Sequence, residues 1–347
     1  MKEYIHGGDI YRHPDVLDFS ANINPLGTPP AVVQAAKDSM EWICHYPDAC
    51  QEKLKQALAA YEQVPVEWLI CGNGAAELIF ALVQAVKPKR ALVMAPTFAE
   101  YAQALEAVGC EVDREILKKE DGFTLQRTIL EKLQKEDLQM VFLCNPNNPT
   151  GILINPKLLR EIVTICEKRN IYLVVDECFL DFVSEPEVHT LKGGLEGKQY
   201  LFLLKAFTKR YAMAGLRLGY GITSSETLME KMERQLQPWN VSMPAQEAGV
   251  AALKETAYVE KARELIFQEQ AFLKDGLKAC GYPVLDSQAN YVFFEGESDL
   301  YEKLLEEGVM IRDCSNYPGL WKGCYRIAVK LHNENEQLLR KIRKVRR

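Results

Sequence analysis

Short apolar runs recur along the chain, each closed by small or polar residues. Trp68-Leu69-Ile70-Cys71, Arg90 to Ala95, residues 139–144, residues 171–176 and Tyr200-Leu201-Phe202-Leu203-Leu204 have this form. They are continuous rather than alternating, the pattern of strands buried on both faces. Between them the period changes. Leu78, Ile79, Leu82, Val83 and Val86 recur at helical spacing, and a second helix is predicted over about 156–169, between the runs at 139–144 and 171–176. Strands separated by helices predict an α/β fold with a parallel sheet wound right-handedly, and ligands at the C-terminal ends of the strands. From about residue 245 a long helical stretch leads to a smaller unit. Its strand-like pieces are Ala289 to Phe294, Gly308 to Cys314 and Cys324 to Val329.

Length and charge narrow the class. The 347 residues are 48% hydrophobic and 26% charged, enough for one large domain and a smaller one. A net charge of −6 argues against a general nucleic-acid binder. The basic ending from Arg340 to Arg347 reads as a helix C-terminus with cations against its dipole. Ten cysteines show no C-x-x-C pair and no metal-ligand spacing, which points to free thiols in a reducing cytoplasm and to no metal site. No signal region opens the chain and no run approaches a membrane span, so no membrane partner is expected.

Candidate chemistry collects where the apolar runs end. Asn145-Pro146-Asn147-Asn148-Pro149-Thr150-Gly151 follows one run, Asp176-Glu177 closes another, and Thr208-Lys209 follows Tyr200–Leu204, with Arg217 eight residues on. A hydroxyl, an ammonium and a guanidinium at one strand end can serve one anionic ligand, and a deprotonated lysine can also attack a carbonyl. Gly72-Asn73-Gly74-Ala75-Ala76-Glu77 opens a helix with small residues, leaving its N–H groups open to a phosphate. Pattern alone leaves His6 in a frayed terminus, Tyr46 and Phe98 in a core, and Arg312 and Arg326 on a surface.

Taken together and in this order, the motifs resemble the fold-type I pyridoxal-phosphate enzymes, the aspartate aminotransferase superfamily. Within it the chain looks most like the L-threonine-O-3-phosphate decarboxylases of cobalamin synthesis and the histidinol-phosphate aminotransferases. The resemblance runs nearly end to end. It implies a large domain with a mostly parallel seven-stranded sheet between helices, plus a smaller α/β domain. The corresponding division is an N-terminal arm and part of the small domain over 1–40, a cofactor-binding domain over 41–245, and a C-terminal small domain over 246–347. It also implies roles: Lys209 as the lysine that binds the cofactor aldehyde, and Asp176 as the acid beside the pyridine nitrogen. Asn148 is then the donor to the ring hydroxyl and Phe98 the stacking ring. Gly74, Ala75, Ala76, Thr208 and Arg217 surround the cofactor phosphate, with Tyr46 reaching it from the other subunit of a homodimer that shares its active sites.

The early His6-Gly7-Gly8 and the segment Ser20-Ala21-Asn22-Ile23-Asn24-Pro25-Leu26-Gly27 are similar to the decarboxylase branch, whose arm folds over the site and helps hold a substrate phosphate. His6, Gly7 and Asn22 are therefore expected at the substrate, with Arg312 on its phosphate and Arg326, in Arg-Ile-x-Val, on its α-carboxylate. Lys205 is the rival for the cofactor lysine. The family spacing to the Gly-Leu-Arg arginine is eight; Lys209 meets it and Lys205, twelve residues away, does not. The chain departs from the family at Phe179, often a tyrosine, and at Ala206, often a serine. The expected activity is decarboxylation of L-threonine O-3-phosphate. The alternatives are an aminotransferase using histidinol phosphate or a related amino acid, and a non-catalytic pyridoxal-phosphate protein.

Overall fold

The computed structural model describes residues 6–346. A two-residue strand, β1 (Leu17–Asp18), precedes the central sheet. The sheet contains β2 (Leu69–Asn73), β3 (Arg90–Ala95), β4 (Glu111–Ile116), β5 (Met140–Cys144), β6 (Tyr172–Asp176), β7 (Leu201–Ala206) and β8 (Leu218–Ile222). Their order is β2-β8-β7-β6-β5-β3-β4. Only β8 runs against the rest, pairing antiparallel with both β2 and β7. This is the mostly parallel seven-stranded sheet implied by the resemblance.

The continuous apolar runs form strands because their residues are covered on both faces. Every residue of β5, β7 and β8 is buried. The helix Pro156–Arg169 shows how the connections are set. Asn155 caps it by accepting from the N–H of Lys157 at 2.9 Å, proline occupies the first turn, and Asn170 ends it in the left-handed region. Its buried face, including Leu158, Ile162 and Cys166, joins the same core as β5 and β6.

The remaining strands lie in the last third of the chain. β9 (Tyr291–Glu295), β11 (Arg312–Asp313) and β12 (Cys324–Ala328) form an antiparallel sheet in the order β11-β12-β9. Between them, β10 (Val309–Met310) pairs parallel with β1, so the start of the chain is tied to its end. A second hydrophobic cluster joins Phe19 to Ile266, Leu273, Tyr291, Ile327 and Leu338. The helices Thr256–Ala279 and His332–Val345 pack together around it. Cations do stand at the end of the last helix, with Lys344 paired to Glu307 at 2.8 Å and Arg346 to Glu297 at 3.5 Å. Among the described residues no helix is long and apolar enough to cross a membrane, and no His/Cys/Asp/Glu cluster could hold a metal.

Candidate active site

A cavity of about 220 Å³ opens where the C-terminal ends of the parallel strands meet the segments from both ends of the chain. Lys209 lies in it, on the short helix Phe207–Arg210 that follows β7. Two contacts from the N-terminal segment hold this turn: the Asn24 N–H donates to the Lys209 carbonyl at 3.3 Å, and the Asn24 carboxamide to the Arg210 carbonyl at 2.8 Å. Burial, with Arg326 and Arg217 nearby, pulls the Lys209 ammonium down to about 8. An amine so placed reaches its neutral, nucleophilic form close to neutral pH.

Lys205 is elsewhere. It points out of β7 into a buried ionic cluster, with its Nζ 3.2 Å from one Glu62 oxygen and 3.8 Å from Glu177. It does not line the cavity. Lys205 lies within β7 with its ammonium held among carboxylates, whereas Lys209 lies past the strand's end, on the helix that borders the cavity.

Asp176, the last residue of β6, faces the cavity with its carboxylate fully engaged. Tyr101 donates its hydroxyl to one oxygen, and the Cys178 N–H donates to the other at 2.9 Å. Burial pushes this carboxyl up from its ordinary range. A protonated ring nitrogen set against it would oppose that shift, because an adjacent cation favours the carboxylate. Cys178 packs in the core and also lines the cavity, and burial pushes its thiol far up. Phe98, Ala206 and Phe179 add apolar wall. Phe179 packs edge-on against Tyr291, centroids 5.1 Å apart, and has no hydroxyl to offer a ligand.

One end of the cavity rests on the helix Ala75–Val86. No side chain caps its N-terminus, and Ala75 and Ala76 open onto the cavity beside Thr208 and Arg217. Gly74, at the N-cap, does not itself line the cavity. Its φ of +78° and the guanidinium of Arg217 explain the glycine, since a Cβ there would stand 2.4 Å from an Arg217 nitrogen.

At the opposite end two buried arginines converge. Arg326 donates to the Asn148 side-chain oxygen and, at 2.8 Å, to the Ser20 carbonyl. Its strand, β12, is buried at every residue, so Arg326 is an interior cation and no alternation with solvent exists there. Arg312 donates to Asn316 at 2.9 Å and lies over the Tyr317 ring. His6, Gly7 and Asn22 line the same cavity. The glycine beside His6 serves the chain's own packing: a Cβ on Gly7 would meet the Ser20 carbonyl at 2.2 Å. Gly8 then donates to the Ser20 hydroxyl at 2.7 Å, locking the arm down.

Of the expected residues, only Gly74 and Tyr46 fall outside the cavity wall. Tyr46 is 76% exposed and stacks on Trp239 at 4.4 Å between centroids. Sequence reasoning passed over Tyr101, Tyr317 and Ser20. Only Ser20 lies within a segment singled out above, and nothing in one sequence shows that a residue 75 positions from Asp176 touches it.

The chain's likeness to known proteins agrees with this geometry. A family model described as aminotransferase class I and II matches residues 14–342. The chain is 41% identical to a threonine-phosphate decarboxylase of Salmonella typhimurium, over 98% of this chain and 96% of that one. It is 34% identical to a histidinol-phosphate aminotransferase of an Anaeromyxobacter species, over 95% and 90%. The crystal structure of a histidinol-phosphate aminotransferase from Clostridium acetobutylicum superposes with a TM-score of 0.89, at 30% identity, over 95% of this chain and 99% of that one.

Proposed function

The chain belongs to the aminotransferase class I and II family, whose cofactor is pyridoxal 5'-phosphate, and from that premise we propose that it decarboxylates L-threonine O-3-phosphate. The product is (R)-1-amino-2-propanol O-2-phosphate. The observation that carries the reading is the pair of buried arginines, Arg326 and Arg312, lining one cavity with the reactive Lys209. A substrate with two anionic ends, an α-carboxylate and a phosphate, uses both. Histidinol phosphate has one such end.

The residues fit the cofactor. The uncapped helix N-terminus with Gly74, Ala75, Ala76, Thr208 and Arg217 suits its phosphate, Asp176 its ring nitrogen, Asn148 its hydroxyl, Phe98 its ring face and Lys209 its aldehyde. Once bound, pyridoxal phosphate supplies an electron-withdrawing ring joined to the substrate amine. The protein's own part is orientation and proton handling. Asp176, steadied by Tyr101 and Cys178, holds a proton on the ring nitrogen. Arg326 grips the α-carboxylate through a two-pronged contact. Arg312, with His6, Gly7 and Asn22 from the arm, holds the distal phosphate and so sets the substrate's angle. Lys209, released from the cofactor and protonated as an ammonium, would donate a proton to Cα where carbon dioxide has left.

The same proposal includes a homodimer with shared sites, its contribution from Tyr46 made across the interface. The exposed apolar residues Met40, Trp42, Ile43, Tyr46 and Trp239 support it. The work would be done in the cytoplasm, in keeping with ten unpaired thiols, and on a small substrate rather than nucleic acid. The test is incubation of cofactor-loaded protein with L-threonine O-3-phosphate, with and without 2-oxoglutarate. Carbon dioxide in both tubes is expected. Glutamate formation only in the tube with 2-oxoglutarate, with no carbon dioxide in either, would make the chain an aminotransferase, the activity named for its 34% identical relative.

A further inference from the structure

Beside the main cavity is a smaller hollow of about 40 Å³, lined by His6, Thr97, Glu100, Arg312, Asn316 and Tyr317. His6, Arg312 and Tyr317 belong to both. Glu100 is the residue with no assigned task. It stands in the first turn of the helix Ala99–Ala107, and only 13% of its side chain is exposed. Its Oε1 lies 3.3 Å from His6 Nε2. Its Oε2 is buried without a hydrogen-bond partner. A buried carboxylate oxygen with no donor is costly, and a carboxylate beside an anion-binding arginine opposes the anion that arginine is there to bind. A proton on the group removes the charge repulsion, and a bound anion then supplies the acceptor that the buried oxygen lacks.

We propose that Glu100 works as a protonated carboxylic acid, donating a hydrogen bond that completes, with Arg312 and His6, a subsite for a tetrahedral dianion. This deepens the reading above and rests on it, since the dianion there is the substrate phosphate. The groups facing Glu100 are His6, Arg312, Lys209 and Asp176. Burial is the strongest influence and raises the carboxyl; its own backbone N–H, then Arg312 and Lys209, oppose it, Asp176 adds to it, and the net position is about 7. His6 is held below its ordinary value by burial and by Arg312. The sign follows. Below about 7 Glu100 is a neutral donor and the anion binds; above it the carboxylate faces the anion and binding weakens.

Sulfate is the probe, because its charge stays fixed where that of a phosphate ester changes. Calorimetric titration of cofactor-loaded protein on either side of about pH 7 reads the subsite directly. The sulfate dissociation constant should be level on the acid side and rise up to about tenfold per pH unit on the alkaline side. Glu100→Gln, a permanent donor, should keep tight binding and lose most of that rise. Glu100→Ala should bind weakly on the acid side too. A flat wild-type profile overturns the proposal with no variant needed. So does an alkaline rise in Glu100→Gln equal to that of the wild type, which would belong to His6. Carbon dioxide is not measured here, so a failed decarboxylase reading and a failed Glu100 reading give separate results.

Discussion

Replacing Lys205 with Met tests the division of labour between the two lysines on and after β7. In the wild type Lys205 Nζ sits 3.2 and 3.3 Å from the two Glu62 oxygens and 3.8 Å from Glu177. Lys192 reaches Glu62 at 3.3 Å, and the Tyr220 hydroxyl donates to it. Burial alone would push the Glu62 carboxyl up. Lys205, Arg210, Tyr220 and Lys192 outweigh it and pull the carboxyl down to about 2. Methionine keeps most of the volume and removes the largest of those pulls, leaving two buried carboxylates undercompensated. Breaking a buried ion pair from one side costs about 3–5 kcal/mol. At no more than about 2 °C per kcal/mol for a chain of this length, the midpoint of thermal unfolding should fall by several degrees, up to about 6–10 °C. The visible absorbance of the lysine-bound cofactor should survive, because Lys205 does not border the cavity. Circular dichroism on heating and an absorbance spectrum of the loaded protein read both quantities. An unchanged midpoint with the visible band lost would place the cofactor on Lys205 and refute the reasoning.

Three further outcomes follow from the site. Gly74→Ala should weaken cofactor binding about tenfold or more, because Ala must hold a glycine-only backbone at about 1–3 kcal/mol of strain and displace Arg217; fluorescence titration of cofactor-free protein measures it. The rate of cofactor capture by cofactor-free protein should climb with pH and level off above about 8, as the Lys209 ammonium becomes the attacking amine; a rate constant across that range in stopped-flow absorbance would contradict the burial argument. Arg326→Lys replaces a two-pronged donor with a point charge, and steady-state kinetics should show KM raised about tenfold or more while the cofactor's visible band remains.

Much of the sheet could be read from the chain because β3, β5, β6 and β7 are buried on both faces and so appear as unbroken apolar runs. β4 escaped because it is a sheet edge. Its Glu-Val-Asp-Arg-Glu-Ile carries charge that pairs with Arg90 and Lys135 and does not look like a strand. β8 escaped because it is Leu-Gly-Tyr-Gly-Ile. Side chains are missing at Gly219 and Gly221 where Ala75 and Phe202 crowd in, with a Cβ meeting them at 2.3 and 2.0 Å. At the site, Asp176, Asn148 and Lys209 were legible as polar residues ending apolar strands. Their supports were not. Tyr101 on Asp176, Asn24 on Lys209 and Glu62 under Lys205 are contacts between distant segments, and local pattern carries no trace of them. His6 would have been left in a frayed terminus by pattern alone; Gly7 against Ser20 and Gly8 bonded to its hydroxyl are what bring it over the cavity.

Which bond at Cα is broken decides the central claim. L-threonine O-3-phosphate carrying deuterium at Cα, turned over by cofactor-loaded protein and read by mass spectrometry of the amine product, reports it directly. Loss of the carboxylate leaves the Cα hydrogen in place, so the account predicts aminopropanol phosphate that keeps its deuterium and carries one new hydrogen from solvent. Release of the deuterium to solvent, with a keto acid formed and the carboxylate retained, would contradict it.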